Sequence, residues 1–269
     1  MLGRFHVSTL LVLALMSPFA TALSLSGPLT QGGLISGEVA PGSQVAFAGK
    51  SVRVNAVGKF VIGVGRDAEL SQSLQVILPN GEKQTHAFTL SKREYDIQKV
   101  NGISKKIMSP SESDLKRIRE EAALVKKARS EDSARQDVFD GFVWPLDGPI
   151  SGVYGSQRVY NGKPGRPHFG LDIAAPTGTP VHAPADGVVT LAHDDMFYSG
   201  GTLIVDHGFG VFSTFIHMSK VIAKPGQEIK RGEIIGEVGA TGRATGPHLD
   251  WRINWFDERL DPQLLLPAR

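Results

Sequence analysis

The chain of 269 residues carries 29 basic and 27 acidic residues, a formal net charge of +2, and no cysteine. That balance argues against a nucleic-acid-binding surface and against strong attraction to acidic polymers. Lipid attachment at a cysteine is excluded, and an oxidising compartment has no thiol to damage or cross-link. With 41% hydrophobic residues the length fits one large or two modest domains, and the pattern along the chain divides into two.

Residues 1–22 have the form of a secretory signal. Arg4 supplies the charged start, Val7 to Met16 an apolar run too short for an ordinary membrane span, and Ala20-Thr21-Ala22 a small-x-small cleavage pattern. The expected mature chain begins at Leu23, outside the cytoplasm and with no stable membrane span. Residues 23–93 then read as short strands. Ser43 to Ala48 and Ser51 to Asn55 alternate, Lys59 to Val64 is an apolar run, and Leu74–Leu78 and Thr85–Leu90 flank Pro79-Asn80-Gly81-Glu82. Asn-Gly between such runs is a hairpin signal, and the roughly ten-residue spacing suggests a small antiparallel β-sandwich. His86 stands alone there and reads as a surface residue.

Residues 94–141 change character and read as a helical linker. Ser109-Pro110-Ser111-Glu112 is a helix-start pattern, and Leu115, Ile118, Ala122 and Val125 fall on one helical face among mixed charges. A solvated helix docked by one apolar stripe is the expectation; a partner-binding helix is the other reading. Asp140-Gly141 closes the segment.

Residues 142–269 are β-rich again. Val188–Ala192, Thr202–Val205, Val211–His217, Ile234–Val238 and His248–Trp255 are the expected strands, separated by glycine turns. Strands without intervening helical patterns point to antiparallel sheets. Within this part, His168 and Asp172 stand in Pro-His-Phe-Gly-Leu-Asp, His217 in an apolar strand, and His248 and Asp250 at i and i+2 of another. On a strand, i and i+2 point to one face. Imidazole and carboxylate are standard zinc donors. Singly, each reads more readily as a loop histidine paired with a carboxylate, or a core histidine satisfied by backbone; the joint order carries the reading.

That order, H-x-x-x-D, a lone His in an apolar strand, then T-G-x-x-x-G-P-H-L, resembles the LytM/lysostaphin-like zinc peptidases, which cut cell-wall peptides. The likeness runs from about Trp144 to Pro262 and includes Gly178-Thr179-Pro180-Val181, Ala185 to Val189 and Asp206-His207-Gly208. It implies a mainly β chain whose C-terminal antiparallel β-sheet peptidase domain is of the LytM (duplicated hybrid motif) type. By motif position, His168, Asp172 and Asp250 would hold one Zn²⁺ per chain, while His217 and His248 would be catalytic. Asp250 stands where most relatives have His. Carboxylate is a legitimate zinc donor, but His-Asp-Asp makes the centre less positive than His-Asp-His, so weaker acidification of water is expected. Phe215 and Met218 stand where relatives have Tyr and Leu. His182, His193 and His207 match no ligand position and read as structural or surface residues.

The resemblance implies a zinc endopeptidase acting on peptide cross-links of peptidoglycan in the periplasm or envelope of a bacterium. Stem peptides would be its substrate and other murein hydrolases further partners. The other reading is a catalytically silent relative that binds wall or activates another hydrolase. Arg158, Arg166, Arg243 and Arg252 near the motifs read as surface charges, with a bidentate hold on a substrate carboxylate as the functional alternative. The loop Tyr160–Pro167 is expected to gate the groove.

Overall fold

The computed structural model describes residues 23–100, 111–160 and 162–269. The expected signal sequence 1–22 and the helix-start residues Ser109 and Pro110 lie outside the described residues. Strands in chain order are β1 (Ser24–Ser26), β2 (Leu34–Glu38), β3 (Gln44–Phe47), β4 (Lys50–Val52), β5 (Lys59–Gly63), β6 (Ser71–Ile77), β7 (Lys83–Thr89) and β8 (Ile97–Val100). Helix α1 (Glu112–Ala128) follows. Then come β9 (Ile150–Gly152), β10 (Gln157–Tyr160), β11 (Lys163–Pro164), β12 (Leu171–Ala174), β13 (Pro180–His182), β14 (Gly187–Met196) and β15 (Gly200–Asp206). The last are β16 (Val211–Met218), β17 (Lys220–Val221), β18 (Glu228–Ile229), β19 (Ile234–Glu237), β20 (His248–Trp255) and β21 (Glu258–Leu260).

Period-two alternation builds the N-terminal part. β1-β2-β5 and β4-β3-β6-β7 are two antiparallel sheets, and their apolar positions, Ile35, Phe60 and Ile62 from one and Val45, Leu74 and Val76 from the other, join one core. The expected hairpin is present between β6 and β7, closed by the Leu78 N–H on the Glu82 carbonyl at 2.8 Å. Only Gly81 of the turn takes a positive φ, +86°, so the connection is wider than the two-residue Asn-Gly turn.

The C-terminal part is organised on the sheet β18-β14-β15-β16-β20-β12-β9, with β21 added to β20. In β20 the alternation is complete. Leu249, Trp251, Ile253 and Trp255 are buried on the core side, and His248, Asp250, Arg252 and Asn254 share the other face. β15 and β16 are buried along their whole lengths. The core covers one face, and α1 covers Ile204 and Phe212 on the other through Ala128 and Val125.

The linker departs from expectation in three ways. Its helix begins at Ser111, whose side chain accepts from the Asp114 N–H while the Asp114 carboxylate caps the Ser111 N–H, so the capping pair is Ser111/Asp114. The docked face is Ile118, Glu121, Val125 and Ala128; Leu115 and Ala122 are exposed, because the stripe is rotated by one position toward polar residues that bond to the sheet. Arg117 pairs with Asp195, and Glu121 accepts the Phe197 N–H at 2.8 Å. Lastly, the stretch before the helix contributes β8, which pairs parallel with β10.

The two β parts share one continuous apolar core. Phe47 packs against Trp255 at 6.1 Å between ring centroids, and Arg93 reaches the buried Asp261 at 2.8 Å. Arg66 donates to the Gly155 carbonyl at 2.9 Å, and the Gly155 N–H donates to the His168 carbonyl at 2.8 Å. The N-terminal sandwich therefore braces the loop that carries His168.

Candidate metal centre

Register brings the carboxylates together. β12 lies against β20 with Asp172 opposite Asp250 and Ala174 opposite His248. His168 enters from the loop before β12, held by its own N–H on the Ser156 carbonyl at 2.8 Å. The ligand atoms of His168, Asp172 and Asp250 all lie within 4.8 Å of one another. His168 Nε2 and Asp172 Oδ1 are 3.2 Å apart, yet both are buried without a hydrogen-bond partner, because the pair is close but misaligned for a hydrogen bond. Orphaned buried polar atoms are costly, and two facing one another with a third donor beside them are arranged as a cation would need them.

Two glycines keep that space open. A Cβ on Gly170 would lie 2.0 Å from Asp250 Oδ1, and one on Gly152 would lie 2.3 Å from Asp172 Oδ2. Neither position tolerates a side chain while both carboxylates point where they do.

Asp250 is buried, and Arg252, two residues on along the same strand face, grips it. Arg252 Nε lies 2.9 Å and 3.1 Å from Oδ1 and Oδ2, and Nη2 lies 2.5 Å from Oδ2. Burial pushes the Asp250 carboxyl up, but Arg252, with His168 and His217 adding to it, outweighs burial and holds it below the ordinary carboxylate range. A carboxylate has about four lone-pair directions, so the bidentate pair leaves room for a metal. For His168, burial opposes protonation, and Asp172 and Asp250 outweigh it to raise the pKa. Arg252 is thus not the surface charge expected from sequence.

His217 and His248 face this trio, with ring centroids 4.9 Å apart. His217 lies within a register shift between β15 and β16, between the paired Phe215 and Met218, and takes φ +67°, a left-handed conformation that non-glycine residues adopt at a cost. The bulge turns its ring into the groove beside Ile216. Its Nδ1 lies 2.8 Å from the Thr241 carbonyl, so Nδ1 donates and Nε2 stays open. Burial lowers its pKa, which keeps the ring neutral at pH 7. His248 Nδ1 likewise donates to the Gly246 carbonyl at 2.8 Å, and its Nε2 lies 3.9 Å from Asp172 Oδ1.

All five residues singled out from sequence therefore meet at one place. Phe215 is buried in the core opposite Trp251, so it lies on the face away from the carboxylates. His207 lies apart, its Nδ1 on the Asp186 carbonyl at 2.6 Å and Nε2 at 2.8 Å from Ser213 Oγ. His182 bonds the Gly232 carbonyl, and His193 Nδ1 accepts the Asp195 N–H.

The centre opens into a groove of about 910 Å³. One wall includes Gln157 and Arg158 of β10, Gln98 of β8 and Asp96 just before it; the other includes Tyr198, Ser199 and Arg243. Within Tyr160–Pro167, expected as a loop, Tyr160 ends β10 and Lys163–Pro164 form β11, paired antiparallel with it. Sequence reading missed Asp96 and Gln98, since only the parallel β8–β10 pairing brings them there.

Residues 166–262 match the profile of Peptidase family M23. A crystal structure from Pseudomonas aeruginosa described as a putative peptidase M23 shares 33% identity at a TM-score of 0.70, covering 88% of this chain and 94% of that one. Peptidoglycan DD-endopeptidase ShyA of Vibrio cholerae is 42% identical over 87 residues, which are 32% of this chain and 20% of ShyA. DD-carboxypeptidase/endopeptidase Mpg of Neisseria meningitidis is 46% identical over 91 residues, 33% of this chain and 21% of Mpg. The chain thus aligns with about a fifth of the length of these curated relatives.

Proposed function

The chain belongs to peptidase family M23, and from that premise we propose that it is an exported zinc-dependent endopeptidase that hydrolyses peptide cross-links of bacterial peptidoglycan. The observation that carries the reading is the pair of orphaned buried donors, His168 Nε2 and Asp172 Oδ1, facing Asp250 across a space that Gly152 and Gly170 leave open. These three residues would hold one Zn²⁺. When bound, the ion supplies an acidified water and a polarised carbonyl.

The protein's own residues supply the rest. His217, neutral and with Nε2 open, takes the proton that leaves the attacking water. The same Nε2 then returns that proton to the departing amine, and His248, whose ring centroid lies 4.9 Å away, lines the centre beside it. The groove walls hold the peptide extended across them. Arg252 changes the electrostatic argument made from sequence: Asp in place of a neutral His adds one negative charge, and the guanidinium on Asp250 offsets it. The weaker acidification expected of a His-Asp-Asp set is offset by this neighbour.

Metal analysis and digestion of purified sacculi test the proposal. The parent chain should bind one zinc and release soluble muropeptides. His168→Ala and Asp250→Ala should lose metal and activity together; His217→Ala and His248→Ala should keep metal while hydrolysis falls about 10²–10⁴-fold. A catalytically silent regulator is the second reading, favoured by one observation: both oxygens of Asp250 already accept from Arg252. A parent chain that binds no zinc and digests nothing at any pH, while raising the activity of another hydrolase, would establish that reading instead.

A further inference from the structure

Positive charge gathers on one side of the metal centre in excess of the acidic groups beside it, Asp250 and Asp257. On the polar face of β20, Arg252 is followed by Asn254, which accepts Arg129 Nη1 from the end of α1 at 2.7 Å. Arg259 of β21 lies directly opposite Asn254 in register, so it projects from the same face. The Arg259 guanidinium lies 6.0 Å from the centre of the Phe169 ring, and Arg166 lies 5.6 Å from the same ring. Phe169 is the residue after His168. Among the described residues, only Arg252 of these four pairs with a carboxylate, Asp250. Burial and the neighbouring guanidiniums together disfavour the charges on Arg129 and Arg259.

The groove carries the same excess. Its charged side chains are Arg158, Arg166, Arg243 and Arg252 against Asp172 at the metal centre and Asp96 on the far wall. Cations held close together, part-buried and mostly unpaired, destabilise the protein, and such arrangements persist where a ligand supplies the missing charge.

We propose that Arg166 and Arg252, with Arg129 and Arg259 adding to their field, form an anion subsite beside the metal centre that takes a free carboxylate of the bound peptide. The planar, five-donor guanidinium suits a carboxylate held by paired hydrogen bonds. Stem peptides carry such groups at a free C-terminus and on a γ-linked glutamate side branch. The identity of the peptide rests on the peptidase reading above; the anion subsite does not.

Equilibrium binding on the full chain tests this, using a stem-peptide fragment with free carboxylates and analogues in which one carboxylate at a time is a carboxamide. Each is measured with zinc-loaded and chelator-treated protein. One amidation should weaken binding by at least about tenfold, whether or not zinc is present. That selectivity should shrink to less than about threefold in Arg166→Gln and in Arg259→Gln, and recover in part in Arg166→Lys. Arg259→Gln should also raise Tm, since it relieves repulsion, whereas a purely structural arginine would lower it. Equal binding of acid and amide peptides overturns the proposal, as does selectivity that vanishes with the metal or survives both arginine changes. Displacement of every peptide alike by inorganic phosphate, without acid–amide selectivity, overturns it too. Sacculus digestion separates the two readings: an inactive protein that still selects the carboxylate refutes the peptidase and keeps the subsite, and an active one without selectivity does the reverse.

Discussion

His217 of β16 and His207, just past the end of β15, show how backbone and burial assign opposite jobs to the same side chain. His217, at φ +67°, is forced out of the strand's alternation, so its ring reaches the groove. His207 keeps to the interior, bonded at both nitrogens, with its pKa pushed down to about 4 by burial. Its ordinary value is 6.5, so between those values the unfolded chain binds more protons than the folded one. Stability therefore falls as the pH drops from 6.5 toward 4, by about 3 kcal/mol from this residue. The neighbouring Asp206 is raised by burial, so its contribution runs the other way, lost as pH rises through the acid range. Denaturant unfolding at pH 7, 5.5 and 4.5 should show the histidine slope, and His207→Gln should flatten it; an equally steep slope in the variant would sink the assignment.

At the scale of elements, α1 does more than connect. Glu121 binds Arg117 on its own helix and accepts the Phe197 N–H beyond it, and Phe197 leads into Tyr198 and Ser199 of the groove wall. The helix is thereby tied to one side of the cleft through Glu121, beside the Arg117–Asp195 pair. Glu121→Ala leaves that N–H without its partner at a cost of about 1–3 kcal/mol, felt locally. Hydrogen exchange should show the 196–199 segment losing protection while the centres of β15 and β16 keep theirs. Unchanged exchange at 196–199 would show that the segment holds itself.

For the whole molecule, the apolar contact of Phe47 with Trp255 and the polar brace from Arg66 to the loop of His168 argue against independent halves. A core that runs through both β parts should unfold as one. Thermal unfolding followed by tryptophan fluorescence and by far-UV dichroism should coincide in a single transition; all three tryptophans, Trp144, Trp251 and Trp255, lie in the C-terminal part. An earlier dichroism transition with unchanged fluorescence would mean that the sandwich melts alone. Zinc should shift the whole transition upward, because a ligand that binds only the folded chain stabilises every part coupled to it.

Local rules set much of this architecture. Alternation in β20 puts His248 and Asp250 on one face, because a strand's period is two whatever surrounds it. Glycine turns between apolar runs located the long strands of both parts to within a few residues, and motif order selected the five residues that meet at the centre. The parallel pairing of β8 with β10 had no such signal, since two short segments about sixty residues apart carry no mark of their partnership. Nor did the helix face, which tertiary bonds to Asp195 and Phe197 turned away from its most apolar stripe. Arg252 is the clearest case. Its place two residues after Asp250 on one strand face is local, but only the packing of β12 against β20, with Asp172 facing Asp250, buries the carboxylate that its guanidinium holds. Residue types and their spacing are properties of the chain; which charges share one low-dielectric space is decided by the register of strands that lie far apart along it.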